Sequence, residues 1–326
     1  MKIIKYVIAC LVTLMSTSLW ASQLTPEQES AKTRGLTLFN QHKAISAEPF
    51  LTIAAEAGDR EAQFYLGKAI QFNKRYMTAE ARKWYTAAAE QGDMYSMYQL
   101  AYNGNDLCHA MGNCPRGTRT AREWKDLLIN TATPLTEQGD GEAMYMMYLV
   151  TGDLDWLKKQ AKPGFPFKPY WLAIRYDNDE CFIFPPWQRS DRIKELYKEA
   201  AEGGYPVAMY YYADLLQKSG DLENARNWVV KSAALGYEST FLEYAYGLSD
   251  PSNKWGFQVD YVKSYGLMSL LLELNGGGNV LSFVNEELPR IAKNLTPEQI
   301  EEAKKIGAEW KATHPPLSFF PQKLGF

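Results

Sequence analysis

Histidine is scarce in this chain. Only His42, His109 and His314 occur in 326 residues, and they lie far apart. No paired-His helix motif can be written from them, and neither a Gly-rich phosphate loop nor a nucleophile-elbow pattern stands elsewhere. Neither an enzyme nor a cofactor is expected. Clustered basic charge is missing too. No run of four Lys or Arg occurs, and the formal charge is 35 − 38 = −3, which argues against a nucleic-acid or anionic-membrane binder. Nor does any segment after the N-terminal leader reach the roughly 18 unbroken apolar residues that a membrane span needs. Cysteine is limited to four positions, Cys10, Cys108, Cys114 and Cys181, too few and too irregular for a disulfide at every turn of a repeat.

What is present begins at the N-terminus. Lys2 and Lys5 precede a mostly apolar run from Val7 to Met15, then Ser16, Thr17, Ser18 and Ala21. This is the order of a secretory signal peptide, assigned to residues 1–21, and it implies an exported, periplasmic protein. Its removal takes away two lysines and no acid, so the mature charge becomes 33 − 38 = −5. Val7-Ile8-Ala9-Cys10 resembles a lipobox, but modification of Cys10 would leave a leader of nine residues, and lipid anchoring is the weaker reading.

The body of the chain repeats itself. Small-small-x-x-Gly endings fall at Gly58, Gly92, Gly139, Gly164, Gly204 and Gly236, with a degenerate seventh at Gly276, at intervals of 34, 47, 25, 40, 32 and 40 residues. Eight positions before the glycine stands Trp84, Trp156 or Trp228 in three copies, and Leu196 or Met268 in two others. Ala81, Trp84 and Ala88 share a helix face, as do Ala225, Trp228 and Ser232. The Trp is expected to fill the gap that the small residues leave to a close neighbour. Each glycine suits the left-handed end of a helix, and Asp59, Asp93 and Asp140 directly after it suit the N-cap of the next. Each unit therefore reads helix, turn, helix, and such hairpins bury their apolar faces only by stacking. "LTPEQ" occurs at residues 24–28 and 295–299 and carries the Thr, Pro and Gln of a capping box, so a capping helix is expected at each end.

The segments "EAQFYLG" (61–67), "AEARKWYTAAAEQGD" (79–93), "AMYYYADLL" (208–216) and "ENARNWVVKSAALG" (223–236) resemble the Sel-one-like repeat family, a branch of the tetratricopeptide-like solenoids. "KSYGLMSLLLELNGGGN" followed by "LTPEQIEEAKKIGAEW" is similar to the way many bacterial members end. The resemblance spans most of residues 45–312. It implies an all-α, right-handed α/α solenoid of about six to seven helix-turn-helix repeats with terminal capping helices. The organisation read from it is an N-terminal capping helix in 22–44, the repeat array in 45–294, and a capping helix with a Pro/Phe tail in 295–326. Irregular insertions fall near 103–118 and 163–189, and the 25-residue interval before Gly164 is too short for a full unit. The family implies a protein partner. Some exported members are immunity proteins for type VI secretion effectors, so a secreted toxin enzyme is one partner to consider, with envelope assembly or signalling as the alternative. A third alternative, a cell-wall-active or penicillin-binding enzyme, has weaker support, since the regular cysteine pattern of the penicillin-binding branch is absent.

Candidate site residues divide by chemistry. Cys108, His109, Met111 and Cys114 could hold a soft metal, but in an exported protein two cysteines six positions apart more often close a small disulfide ring. The pairing Cys108–Cys114 is therefore the expectation, and no metal. Asp177, Asp179 and Glu180 read as solvated surface. Phe165, Phe167, Tyr170, Trp171, Phe182, Phe184 and Trp187 are interleaved with prolines that interrupt regular helix, so these aromatics either plug an irregular joint or face a partner. Tyr170, Trp171, Phe182, Phe184, Trp187, Tyr210 and Tyr212 are the candidate partner-binding set, and Phe319, Phe320 and Phe326 of the tail invite the same two readings.

Overall fold

The computed structural model describes residues 24–102, 111–112, 117–159, 162, 164–180, 186–275 and 279–319. Among them are sixteen α-helices and two short 3-10 turns, and the one isolated β-bridge joins Tyr237 to Ser318. The first hairpin pairs α1 (Pro26–Asn40) with α2 (Ala44–Glu56), the second α3 (Arg60–Lys74) with α4 (Ala79–Glu90), and the third α5 (Met94–Tyr102) with α6 (Ala121–Glu137). The fourth joins α7 (Gly141–Thr151) to a single turn, α8 (Asp155–Lys158). Then come α9 (Phe167–Asp177) with α10 (Arg189–Glu202), α11 (Pro206–Lys218) with α12 (Leu222–Ala234), and α13 (Glu238–Gly247) with α14 (Tyr261–Leu270). α15 (Val280–Ala292) and α16 (Pro297–Thr313) complete the order. Up to α15 each helix packs on the next in sequence, whereas α16 passes back to lie on α14. The chain is an all-α helical-repeat solenoid.

The turns follow the residues that specify them. Gly58, Gly92, Gly139, Gly204 and Gly236 have φ of 92°, 85°, 80°, 90° and 83°. The N–H of the residue after each glycine donates back to Ala54, Ala88, Leu135, Ala200 or Ser232, closing the end of the preceding helix. Asp59, Asp93 and Asp140 then accept from the N–H groups of Ala62, Ser96 and Ala143, each at 2.7 Å. The Thr25 and Thr296 capping boxes both form, and Thr120 with Glu123 makes a third at the start of α6. Gly164 is also left-handed, at φ 114°, but α8 has already ended at Lys158, so this glycine belongs to the connection.

Burial separates the three repeat tryptophans. Ala81, Ala88, Ala225 and Ser232 are fully buried, and Trp84 is buried beside them. Trp156 and Trp228 are only partly buried, contrary to the expectation that each plugs the core. Each lies under a lysine, with Lys159 Nζ 3.4 Å from the Trp156 ring centre and Lys231 Nζ 4.4 Å from that of Trp228. The deeper positions next to them, Leu157 and Val229, take the place in the core. Much of the aromatic content goes inside instead, with Trp255, Tyr85, Tyr197, Phe64 and Phe241 among the largest fully buried side chains.

The proline-rich segment is more regular than its composition implied. α9 runs for eleven residues through the expected irregularity at 163–189, with Pro166 as its N-cap and Pro169 in its first turn, where a missing N–H costs nothing. At the other end of the array, α14 and α16 cross in near backbone contact. A Cβ at Gly266 would stand 2.3 Å from the Ala303 carbonyl oxygen, which leaves room for glycine alone.

The C-terminal tail does not project. Ser318 donates to the Gly236 carbonyl at 2.8 Å and accepts from Glu238 N–H at 2.9 Å, while Phe319 N–H donates to Asn40 O at 3.0 Å. Gln41 Nε2 donates to Leu317 O at 2.9 Å, and the Phe319 ring stacks on His42 at 4.1 Å. Lys43 Nζ reaches the Glu273 carbonyl at 2.6 Å. The first hairpin is thereby tied to the seventh, and α1 acts as the leading helix of a hairpin whose outer end is covered.

Candidate functional site

In a helical-repeat chain the surface that matters is the apolar area that stacking leaves uncovered. α2, AISAEPFLTIAAE, has more apolar residues than one face can bury. Ala44, Ala47, Leu51, Ala54 and Ala55 pack inward, and Ile45, Pro49, Phe50 and Ile53 stay outside at three- and four-residue spacing. Ile45 is 76% exposed. Asn73 Nδ2 donates to Glu48 Oε1, holding the end of α3 beside the first turns of α2. Phe72, 64% exposed, and Tyr76 stand at that same end. Exposed apolar residues gathered in this way mark a contact surface more often than isolated ones do.

The second candidate is the aromatic seam around α9. Phe165 packs on Tyr145 and Phe167 at 6.0 and 5.3 Å, Phe167 on Tyr205 at 4.6 Å, and Tyr170 edge-on to Tyr205 at 5.0 Å. Trp171 stacks on Tyr145 at 6.2 Å. These rings bridge α7 to α11 across the short α8. They carry the joint reading of the two offered by the sequence. Tyr197 stacks on Tyr211 at 5.1 Å and its hydroxyl finds no hydrogen-bond partner among the described residues. Burial raises the ionisation of Tyr145, Tyr170 and Tyr197 well beyond the usual phenol range, so all three are neutral.

The seven residues nominated for partner contact do not share one environment. Tyr170 and Tyr212 are 7% and 8% exposed, core residues that no partner reaches without unpacking the helices. Trp171 is half-buried against Tyr145. Tyr210 is half-buried against Trp255, beside Glu243, and its hydroxyl is pushed up to about 12 by burial first and by Glu243 second. Trp187 is 76% exposed, on the 3-10 turn Pro186–Gln188. That turn is held by Arg189, which donates to the Tyr176 carbonyl and pairs with Asp179 at 2.8 Å. Phe182 and Phe184, like the proposed disulfide of Cys108 and Cys114, the leader 1–21 with Cys10, Cys181, Gly276, Phe320 and Phe326, lie outside the described residues. The acids Asp179 and Glu180 are ion-paired surface, Glu180 with Arg175 at 2.6 Å.

No protein-family model matches the chain, and no curated protein does. Among solved structures it is similar to a protective antigen of uropathogenic Escherichia coli displaying an SLR fold, at 18% identity over 88% of this chain and 79% of the other, with a TM-score of 0.36. It is similar also to a Sel1 repeat protein from Oxalobacter formigenes, at 16% identity over 79% of this chain and 99% of the other, TM-score 0.37. A third is the assembly chaperone of RpL4, at 16% identity over 87% and 95% of the two chains, TM-score 0.24. Scores this low carry nothing about what the present chain binds.

The α2 surface escaped the sequence reading for an identifiable reason. Attention to the small-residue face that ends in Gly58 hides the apolar residues on the opposite face. The signal was the simultaneous presence of both, since a helix apolar all round is either fully enclosed or has a second partner. Among the described residues no group of three or more His, Cys, Asp or Glu is placed to hold a metal ion, and no helix is long and apolar enough to cross a membrane.

Proposed function

We propose that this chain is an exported, non-catalytic scaffold that binds a protein partner, and that the partner docks on the outer face of α2. The observation that carries the reading is the uncovered apolar surface of Ile45, Pro49, Phe50 and Ile53. Burying apolar area of this kind is worth about 25 cal/mol per Å², and central apolar anchors commonly dominate such interfaces. Trp187 supplies a second exposed ring on a turn pinned by Arg189 and belongs to the same proposal as a separate contact.

The finer reading is that the partner is a secreted toxin enzyme which this protein neutralises, with an envelope-assembly adaptor as the alternative. Both rest on the resemblance of the repeat segments, and the identity of the captured protein separates them. The test is capture from the native exported fraction with the tagged mature chain. One stoichiometric partner is expected, retained by the parent and lost at least tenfold by the triple variant Ile45→Asp, Phe50→Asp, Ile53→Asp. Equal capture by the triple variant, with an unchanged helical circular-dichroism spectrum, removes the α2 face from the proposal. A recovered lipase or nuclease inhibited by the parent chain supports neutralisation.

A further inference from the structure

Among the described residues the trailing helix of the fourth hairpin is a single turn, and a hollow lies beside it. Between α8, the turn leading into α9, and α10 lies a cavity of about 610 Å³, within the range of small-molecule sites. Leu157, Leu172 and Leu196 are its buried apolar floor, and Phe165 and Pro166 form one side. Five cations line it, Lys158, Lys159, Lys162, Lys168 and Arg192, against two carboxylates, Glu199 and Glu202.

These cations are not equivalent. Lys158 pairs with Asp155 at 2.9 Å, Lys159 lies over Trp156, and Arg192 pairs with Glu195 at 3.0 Å. Lys162 is exposed at the rim. Lys168 is different, because it is only 8% exposed, and Glu199 acts on it through space without a direct ion pair. What remains accessible of it faces the cavity that it lines. Burial draws its amine below the usual lysine range, while the nearby Glu199 works in the other direction. A largely enclosed ammonium whose nearby carboxylate, Glu199, makes no direct ion pair with it is incompletely compensated, and a packing role would be served better by Leu or Met. Its chemistry is that of a site waiting for negative charge.

We propose that this cavity binds an organic monoanion, a carboxylate on an apolar body, with Lys168 as its charge partner and Leu157, Leu172 and Leu196 as the bed for the apolar portion. One buried amine with two carboxylates in the wall matches a single negative charge better than a phosphate dianion. The anion can arrive in two ways, as a free amphiphilic carboxylate or as the C-terminal carboxylate of a partner chain. Neither depends on the α2 surface.

The test is titration calorimetry on the purified full chain with decanoate, decanamide, inorganic phosphate, and the peptide acetyl-Ser-Gly-Leu-Leu as free acid and as amide. One-site binding of decanoate or of the free-acid peptide is expected, at least tenfold tighter than its neutral amide and at least tenfold weaker in Lys168→Met. Lys231→Met, remote from the cavity, is expected to bind like the parent. The tighter of the two acids names the source. If Lys168→Met fails to fold, the rim variant Lys162→Gln with Arg192→Gln is expected to weaken binding several-fold. Equal binding of acid and amide, phosphate binding as tightly as decanoate, no binding by either acid, or unaltered binding in the folded lysine variants overturns the proposal.

Discussion

The second and fourth hairpins start from the same instruction and end as different objects. Gly58-Asp59 and Gly139-Asp140 both reverse the chain through a left-handed glycine, and both aspartates cap the helix they open at 2.7 Å. From there α3 hands over to a twelve-residue α4, with Trp84 buried, Tyr85 fully buried and Gly67 tight against it. α7 hands over to a four-residue α8 whose Trp156 stays at the surface under Lys159. The leading helix is thus written locally, by glycine and cap. The trailing helix forms only where a full run of small residues and a large one can dock on its neighbours, which is a tertiary requirement. Where that run is missing, rings from Phe165 to Tyr205 take over the bridging between hairpins, and a charged hollow remains.

The largest effect that would sharpen this contrast lies in the two tryptophans. Trp84→Ala should lower unfolding free energy by about 3 to 5 kcal/mol, the range for emptying a large buried aromatic site, and Trp156→Ala by about 1 kcal/mol, because its ring is already half in water. Urea denaturation followed by circular dichroism measures both, and equal losses would show that the fourth hairpin uses its tryptophan as the second does. Next in size are the caps. Asp140→Ala should cost about 1 kcal/mol for the lost cap, and Asp59→Ala that amount plus the loss of its ion pair with Lys32 at 3.0 Å. No measurable loss at Asp140 would break the claim that the two hairpins begin alike.

The smallest effect concerns acid. Burial against Phe319 lowers the His42 pKa from 6.5, so the folded chain binds this proton less readily than the unfolded chain does. The associated stability is present above pH 6.5 and falls away as pH drops through the folded value. His42 is partly open to water, so the slope should be shallow, and His42→Phe should flatten it. A thermal-melt series from pH 7.5 to 5 checks this, and an identical slope in the variant would remove His42 from the account.

Most of the fold could be read because its signals are local. Five of the seven glycines, the three aspartate caps and the two terminal capping boxes each act within one turn and are found where the residues place them, whereas Gly164 falls in a connection. What could not be read was long-range. Nothing in "HPPLSFF" announces that Leu317 and Phe319 will meet Gln41 and Asn40, because that encounter depends on the accumulated curvature of seven hairpins. The candidate contacts divide for the same reason: Tyr170, Tyr212 and Trp187 look alike as aromatics, yet two are core and one is surface, a difference set by neighbours from other hairpins. Ile45 and Phe50 were hidden by the inward face of their own helix.

A string of hairpins held only by nearest neighbours has two free ends, and its outermost members melt first. The stitch from Ser318 and Phe319 to Gly236, Glu238 and Asn40 ties the first hairpin of this string to the seventh, so opening either one strips contacts from the other. Loss of structure is then concerted, with the whole circuit opening at once in place of gradual peeling from its margins.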